Sequence, residues 1–301
     1  MSALTKKKTA RHGGLALPEE EVRRAGRAKP PAEPRSFRKD LSEGRVTLGA
    51  WIQVGHPAVA EILADAGFDW VCVDLEHGAI GMETMTDIFR TLAAFDCAPV
   101  VRVPANDPVW IHRCLDAGAQ GLIVPMVNTA AEAEAAVREA KYPPRGRRGY
   151  GYARANAYGK RFDAYARRAN EEIAVVVQIE HKDAVANLEA ILDVEGVDGT
   201  FVGPYDLSGS FGVPGRLDHP AVRKALARYR TVCARRGKAM GMHVVRPNEK
   251  NVPQAVKEGY TLVALGLDVV FLEEGARAAL KGARSVPGAC PRAAGRRERA
   301  P

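Results

Sequence analysis

Glu180 and Asp206 close two strand-like runs, VVQIE (176–180) and GTFVGPYD (199–206). They are hard oxygen donors on what should be neighbouring strands. Two carboxylates that leave room for water and substrate suit Mg²⁺ or Mn²⁺, which rarely take an all-protein cage. The plainer alternatives are an ion pair of Glu180 with Lys182 and a helix cap at Asp206. Asp74 and His77 end another run, three residues apart. A carboxylate beside an imidazole orients the ring and raises its basicity, as a general base requires; a hydrogen-bonded structural histidine is the alternative. Arg102, in VVRVP, must meet an anion or a polarised oxygen, because an unpaired buried charge is costly. Glu76 or Asp116 could instead be its partner. Gln178 adds an amide two residues before Glu180. The Gly203–Pro204 turn offers backbone N–H groups to an anion, or is only a turn. His56, His181 and His243 read as peripheral, with His243 behind the first layer of the site.

These residues matter only if something brings them together. Eight short apolar runs occur near 47–54, 70–75, 99–103, 120–125, 173–179, 198–203, 239–245 and 260–266. Helical patterns at 57–66, 108–117, 129–140, 184–192, 219–236, 248–258 and 273–281 alternate with them. Proline opens the first two helices, and glycines 67, 118, 237 and 259 end helices. Strands apolar on both faces, alternating with helices, imply a parallel sheet covered by helices. Eight such units predict a closed (β/α)₈ TIM barrel, whose site lies at the C-terminal ends of the strands. An open doubly wound sheet is the alternative, but the first strand-to-helix turn, QVGHPA, has no GxGxxG cradle. Trp51 and Trp70 read as barrel packing. The connection 141–172 is long enough to be functional or mobile.

The chain has 301 residues and a net charge of +8. Residues 1–40 carry +6 and residues 281–301 carry +5, so the body between them is mildly acidic at −3. That pattern disfavours a nucleic-acid-binding body. Residues 1–40 and 284–301 lack apolar periodicity and read as flexible basic tails flanking a catalytic domain over 41–283. Five cysteines without a CxxC spacing fit neither a disulfide framework nor a zinc knuckle. No apolar run approaches the roughly 20 residues of a membrane helix. Lys6–Lys8 precede no apolar segment, so a cytoplasmic protein is expected.

DLEHG (74–78), VVRVP (100–104), DAGAQGLIVPMVNTAAEAE (116–134), YPPRGRRGYG (142–151), VVQIE (176–180) and NLEAILDVEGVDGTFVGPYDLSGSFG (187–212) give the chain from about 45 to 270 a resemblance to the HpcH/HpaI family of class II, metal-dependent 2-oxo-acid aldolases. The resemblance implies a barrel whose last helix is exchanged between subunits of a trimer or hexamer. It implies that Glu180 and Asp206 hold a divalent cation (Mg²⁺ or Mn²⁺, with Co²⁺ possible). It implies that His77, paired with Asp74, is the acid/base element, and that Arg102 stabilises the carbonyl and enolate oxygen. Gln178 would sit beside the metal. Gly203 and the backbone at Tyr205 and Asp206 would receive the pyruvate carboxylate. Asp116 would lie near a subunit boundary, toward the aldehyde. Tyr205, His181 and His56 depart from the family's usual residues at their positions and bear on acceptor choice.

The reaction so implied is reversible cleavage of a 4-hydroxy-2-oxo acid to pyruvate and an aldehyde, in sugar- or aromatic-acid catabolism, through a metal-stabilised enolate. Two alternatives remain at this level. One is a lyase of acyl-CoA thioesters with the same fold and metal use. The other is a non-catalytic barrel that binds anionic polymers through its tails.

Overall fold

The structure, a computed structural model, describes residues 36–283. Eight parallel strands close in sequence order: β1 (Thr47–Ile52), β2 (Trp70–Asp74), β3 (Ala98–Arg102), β4 (Gly121–Val124), β5 (Ala174–Ile179), β6 (Gly199–Val202), β7 (Ala239–Val244) and β8 (Leu262–Leu267). β2, β4, β5 and β6 are buried at every residue. This is the expected (β/α)₈ barrel.

The inside is packed in layers. Gly49 leaves space that the Trp70 indole fills; a Cβ there would lie 2.0 Å from the ring. The indole in turn donates to Thr47 Oγ1 at 3.1 Å. Higher up, Trp51 meets Phe201 edge-on, with ring centroids 5.6 Å apart. Such small–large alternation is how a barrel fills its taper instead of leaving a pore.

Helix α1 (Phe37–Ser42) closes the bottom. Phe37 and Leu41 are buried with Trp70, and Arg38 donates to Asp198 at 2.7 Å. This corrects the reading of residues 36–40 as tail. Two apolar residues in a six-residue helix are too few to show a period, although Ser36 supplies the cap. The tail readings for 1–35 and 284–301 lie outside the described residues.

The remaining helices are α2 (Pro57–Asp65), α3 (Met82–Leu92), α4 (Pro108–Asp116), α5 (Ala130–Ala140), α6 (Phe162–Glu172), α7 (Lys182–Ala186), α8 (Leu188–Leu192), α9 (Pro204–Ser210), α10 (Pro220–Arg236), α11 (Asn251–Lys257) and α12 (Asp268–Ala283). Proline starts α2, α4 and α10, and Thr129 with Glu132 forms a capping box on α5. The helix expected over 184–192 is two, divided at Asn187. The last helix begins five residues before its expected start. The long connection 141–172 holds α6 and is pinned at its middle. Arg148 is fully buried, its guanidinium 4.6 Å from the Tyr142 ring centroid and donating to Asp116 at 2.7 Å. No helix among the described residues is long and apolar enough to cross a membrane.

Candidate active site

The strand C-termini surround a cavity of about 300 Å³, and seven of the nine proposed residues line it: Asp74, His77, Arg102, Gln178, Gly203, Tyr205 and Asp206. Parallel strands place residues of different loops on one rim, so separations of a hundred residues in sequence become contacts.

Asp74 and Arg102 form its floor. They are paired across the β2–β3 register. Arg102 Nε donates to Asp74 Oδ1 at 2.9 Å and a terminal nitrogen to Oδ2 at 2.7 Å, a two-pronged bond. The other terminal nitrogen lies 3.2 Å from Glu76 Oε2. The guanidinium stacks on Trp51, 4.4 Å from the ring centroid. The bonds to Asp74 engage two of the five N–H groups of an arginine; the Glu76 contact is an ion pair without a hydrogen bond, so N–H groups remain for a ligand. Asp74 is fully buried and also accepts from Gln53 Nε2 at 2.8 Å. Burial works against its ionisation, but the Arg102 bonds and charge, with Gln53 and the His77 amide, outweigh it and hold the carboxyl below its usual range.

The expected Asp74–His77 ring pair is not formed. Asp74 Oδ1 accepts from the backbone amides of Glu76 and His77, at 3.1 and 3.2 Å. The imidazole turns outward, 62% exposed, with its Nε2 3.9 Å from Glu76 Oε2. The tight turn after β2 spends Asp74 Oδ1 on backbone amides and Gln53 and Arg102 take Oδ2, so the ring's carboxylate neighbour is Glu76.

Glu180 stands just behind the cavity wall, 4% exposed. Its Oε1 accepts from the Met126 amide at 2.7 Å, and its Oε2 accepts from Gln178 Nε2. No ion pair with Lys182 forms. Burial pushes the Glu180 carboxyl up, and the charges of Glu76 and Asp206 push it further, against the bonds from Met126 and Gln178. Glu76 is likewise raised, by burial first and by Asp74 and Asp206, against Arg102 and His77. Glu76 and Glu180, both raised partly by neighbouring negative charge, mark a site short of positive charge.

A hard divalent cation fits this arrangement. Gln178 Oε1 is buried without a hydrogen-bond partner. Gly203 opens the space beside it: a Cβ would lie 2.9 Å from Glu180 Oε2 and 3.4 Å from Gln178 Nε2. Every donor is oxygen. Among the described residues no three His, Cys, Asp or Glu converge as a cage, so two protein carboxylates with the remaining positions left to water and substrate is the coordination on offer.

Asp116 lies elsewhere. It ends α4, at the opposite end of that helix from the strand C-termini, and pairs with Arg148. Within one chain it does not reach the cavity. Sequence reasoning missed Gln53, which locks Asp74, and Asp268, whose carboxylate accepts from the amides of Gln53 and Val54 and holds the first loop. Each directly follows a strand, Gln53 after β1 and Asp268 after β8, so position at a strand end was the signal that could have found them. His56 and His181 are helix caps, accepting through Nδ1 from the amides of Ala58 and Asp183. His243, read as peripheral, lines the cavity.

Comparison with known proteins places the fold in a family. The sequence profile described as HpcH/HpaI aldolase/citrate lyase matches residues 47–274. A 4-hydroxy-2-oxovalerate aldolase of Rhodococcus jostii is 43% identical over 79% of this chain and 91% of its own length. A 4-hydroxy-2-oxo-heptane-1,7-dioate aldolase of Escherichia coli is 42% identical over 81% of this chain and 92% of its own. The crystal structure of a family member from Burkholderia cenocepacia superposes with a TM-score of 0.79 at 37% identity, covering 82% and 98% of the two chains. The chain belongs to the HpcH/HpaI aldolase/citrate lyase family.

Proposed function

We propose that the cavity cleaves the C3–C4 bond of a 4-hydroxy-2-oxo acid, releasing pyruvate and an aldehyde, and runs the reverse addition. The chain is a carbon–carbon lyase of the class II aldolase type. The observation that carries this reading is the juxtaposition, at one cavity, of an oxygen-only cation cradle (Gln178, Glu180, Asp206) with an arginine that keeps N–H groups to spare. A divalent cation held by Glu180 and Asp206 supplies Lewis-acid polarisation of the 2-oxo group. Arg102 donates to the 2-oxo oxygen as negative charge builds there when C3–C4 breaks, in a site where water is scarce and the interaction strong. His77, exposed in its outward position, accepts the C4-hydroxyl proton and returns it in the addition. Glu76, not Asp74, is the carboxylate that steadies its imidazolium form. Asp74 holds Arg102 flat on Trp51. Gly203 and the amides of Tyr205 and Asp206 receive the carboxylate.

We further propose a homo-oligomer, in which Asp116 serves the aldehyde side of a neighbouring copy's site. Among the described residues Cys72, Cys114 and Cys233 are free and buried, which suits a reducing cytoplasm.

The test is pyruvate release from a panel of 4-hydroxy-2-oxo acids, with Mg²⁺ or Mn²⁺ and again with EDTA. Release that needs the metal and disappears in Glu180→Gln and Asp206→Asn is the expected result. No release from any member, by folded metal-loaded protein, overturns the reading; cleavage of an acyl-CoA thioester instead would assign the other lyase class.

A further inference from the structure

The inner face of β7 carries residues 239, 241 and 243, since Ala239 belongs to the barrel-interior cluster while Met240 and Val244 belong to the layer beneath the helices. Gly241 yields its place to Phe201; a Cβ there would lie 2.3 Å from the ring. One layer above, His243 enters the cavity. Its ring packs beside Trp51, centroids 5.8 Å apart, on the indole that also carries Arg102.

One side of that ring is committed. His243 Nε2 lies 3.0 Å from the carbonyl oxygen of Gly266. A carbonyl only accepts, so Nε2 carries the hydrogen and Nδ1 keeps its lone pair. Burial pushes the imidazole down to about 4, and the nearby Arg102 charge adds to this, against the Gly266 carbonyl and Asp74. The ring is therefore neutral at neutral pH and cannot serve as the acid. Among the described residues no protein group donates to Nδ1. Its surroundings in the cavity wall are Trp51, Phe201, Val245 and Leu267, which offer no competing acceptor. Of the other polar groups in the cavity, Arg102 donates, Gln53 Nε2 and both Asp74 oxygens are already engaged, and the unpartnered Gln178 Oε1 belongs to the cation cradle.

We propose that His243 Nδ1 is a fixed hydrogen-bond acceptor for a substrate hydroxyl, which makes the enzyme selective for hydroxylated substrates over their deoxy counterparts. The inference rests on the aldolase reading and deepens it. The hydroxyl could belong to the 2-oxo acid, on C3, or to the aldehyde, on the carbon next to the carbonyl. A site built to accept one hydroxyl discriminates strongly against the analogue that lacks it, because a buried acceptor is then left unpaired.

Two ligand pairs separate the sources: hydroxypyruvate against pyruvate, and glycolaldehyde against acetaldehyde. With Mg²⁺-loaded full-length protein, the ratio of kcat/KM for hydroxylated over deoxy partner is measured in aldol addition. In one pair that ratio should fall about 5- to 10-fold in His243→Leu, the size of one neutral hydrogen bond. His243→Gln, whose amide oxygen can accept, should restore much of it. A ratio unchanged in His243→Leu for both pairs overturns the proposal, as does an equal fall with both partners of a pair, which would mean a merely structural role. The ¹⁵N resonance of His243 Nδ1, assigned by its loss in His243→Leu, gives a readout without turnover. It should shift on saturation with the hydroxylated ligand and not with the deoxy one; a stationary or equally shifted resonance also overturns the proposal. Failure of carbon–carbon bond formation by the wild type with every pair would instead count against the aldolase reading, and the resonance would still decide the role of His243.

Discussion

Arg102 is asked both to hold its shape and to bind. Its partner Asp74 has no exposed surface, so Arg102→Ala strands a buried carboxylate. Breaking one side of a buried pair typically costs about 3–5 kcal/mol; the Gln53 and amide bonds remain, so the lower end is expected, read as a fall in midpoint in urea. The sign with pH follows from the direction of the Asp74 shift. Its carboxyl is held below the ordinary value of about 3.9, so the pair's contribution is complete above that value and is lost as pH falls through the lower folded value. The deficit of Arg102→Ala should therefore be constant from neutrality to about pH 5 and shrink in stronger acid. Glu180 has the opposite sign: its raised carboxyl costs the fold stability above its folded value. Metal-free Glu180→Gln should then melt above the metal-free wild type at pH 7, while Mg²⁺ raises the melting temperature of the wild type alone. An equal Mg²⁺ shift in the variant would show that Glu180 is not a ligand. At this scale the sequence reveals which residues stand at strand ends, because a parallel barrel sends all of those ends to one face. It does not reveal who pairs with whom. Asp74 next to His77 looks like a dyad until the turn after β2 takes up its Oδ1, and Gln53 and His243, although both stand at strand ends, carry no sign of whom they pair with.

Strands β1–β8 were legible for a simple reason: buried on both faces, they appear as unbroken apolar runs bounded by glycine and proline. Helices were legible where proline or a capping side chain opened them. α3 was missed although Met85, Ile88, Phe89 and Leu92 bury one face at helical spacing, because Gly81 opens it without a side-chain cap. α1 was missed because its period is too short to read. Two predictions belong here. Phe37→Ala should destabilise the barrel by about 3–5 kcal/mol, the usual cost of emptying a buried aromatic site, whereas a chain beginning at residue 36 should unfold at the same urea midpoint as the full chain. If Phe37→Ala left stability untouched, α1 would not be the barrel's floor. In the β6–α9 loop, Gly203 has φ −104, a value open to any residue, so Gly203→Ala leaves the backbone unstrained, but its methyl group would lie 2.8 Å from Glu180 Cβ and Glu180 must shift. Its new methyl group would enter the space beside Glu180 Oε2. The expected result is a modestly lowered melting temperature without metal, since Glu180 must move, and at least a 10-fold loss of Mg²⁺ affinity by calorimetry; unchanged affinity would remove the cradle from between Gly203 and Glu180.

Across the whole molecule, the feature that one chain leaves unexplained is α12. Beyond Phe271 every one of its residues is exposed, Leu272 at 68% and Leu280 at 54%. A helix of this length is marginal in water without packing on one face, so an oligomer that covers it is the economical arrangement. Asp116 raises the same question from the other side of the barrel: held outward by a fully buried Arg148, it is built with care for a residue that serves nothing in its own cavity. If neighbouring copies share sites, His77→Ala and Asp116→Asn spoil different halves of each one. Each variant alone should show depressed turnover, His77→Ala by about 10²- to 10⁴-fold, the usual worth of a general base. Unfolded together and refolded as a mixture, they form hybrids in which some sites combine an intact His77 from one chain with an intact Asp116 from another. Activity of the mixture should then exceed the mean of the two parents, and Leu272→Glu, which opposes burial of α12, should abolish that gain along with the oligomer seen by light scattering. A mixture no better than its parents, from oligomers shown to have exchanged chains, would confine each site to a single chain and return Asp116 to a purely structural pairing with Arg148.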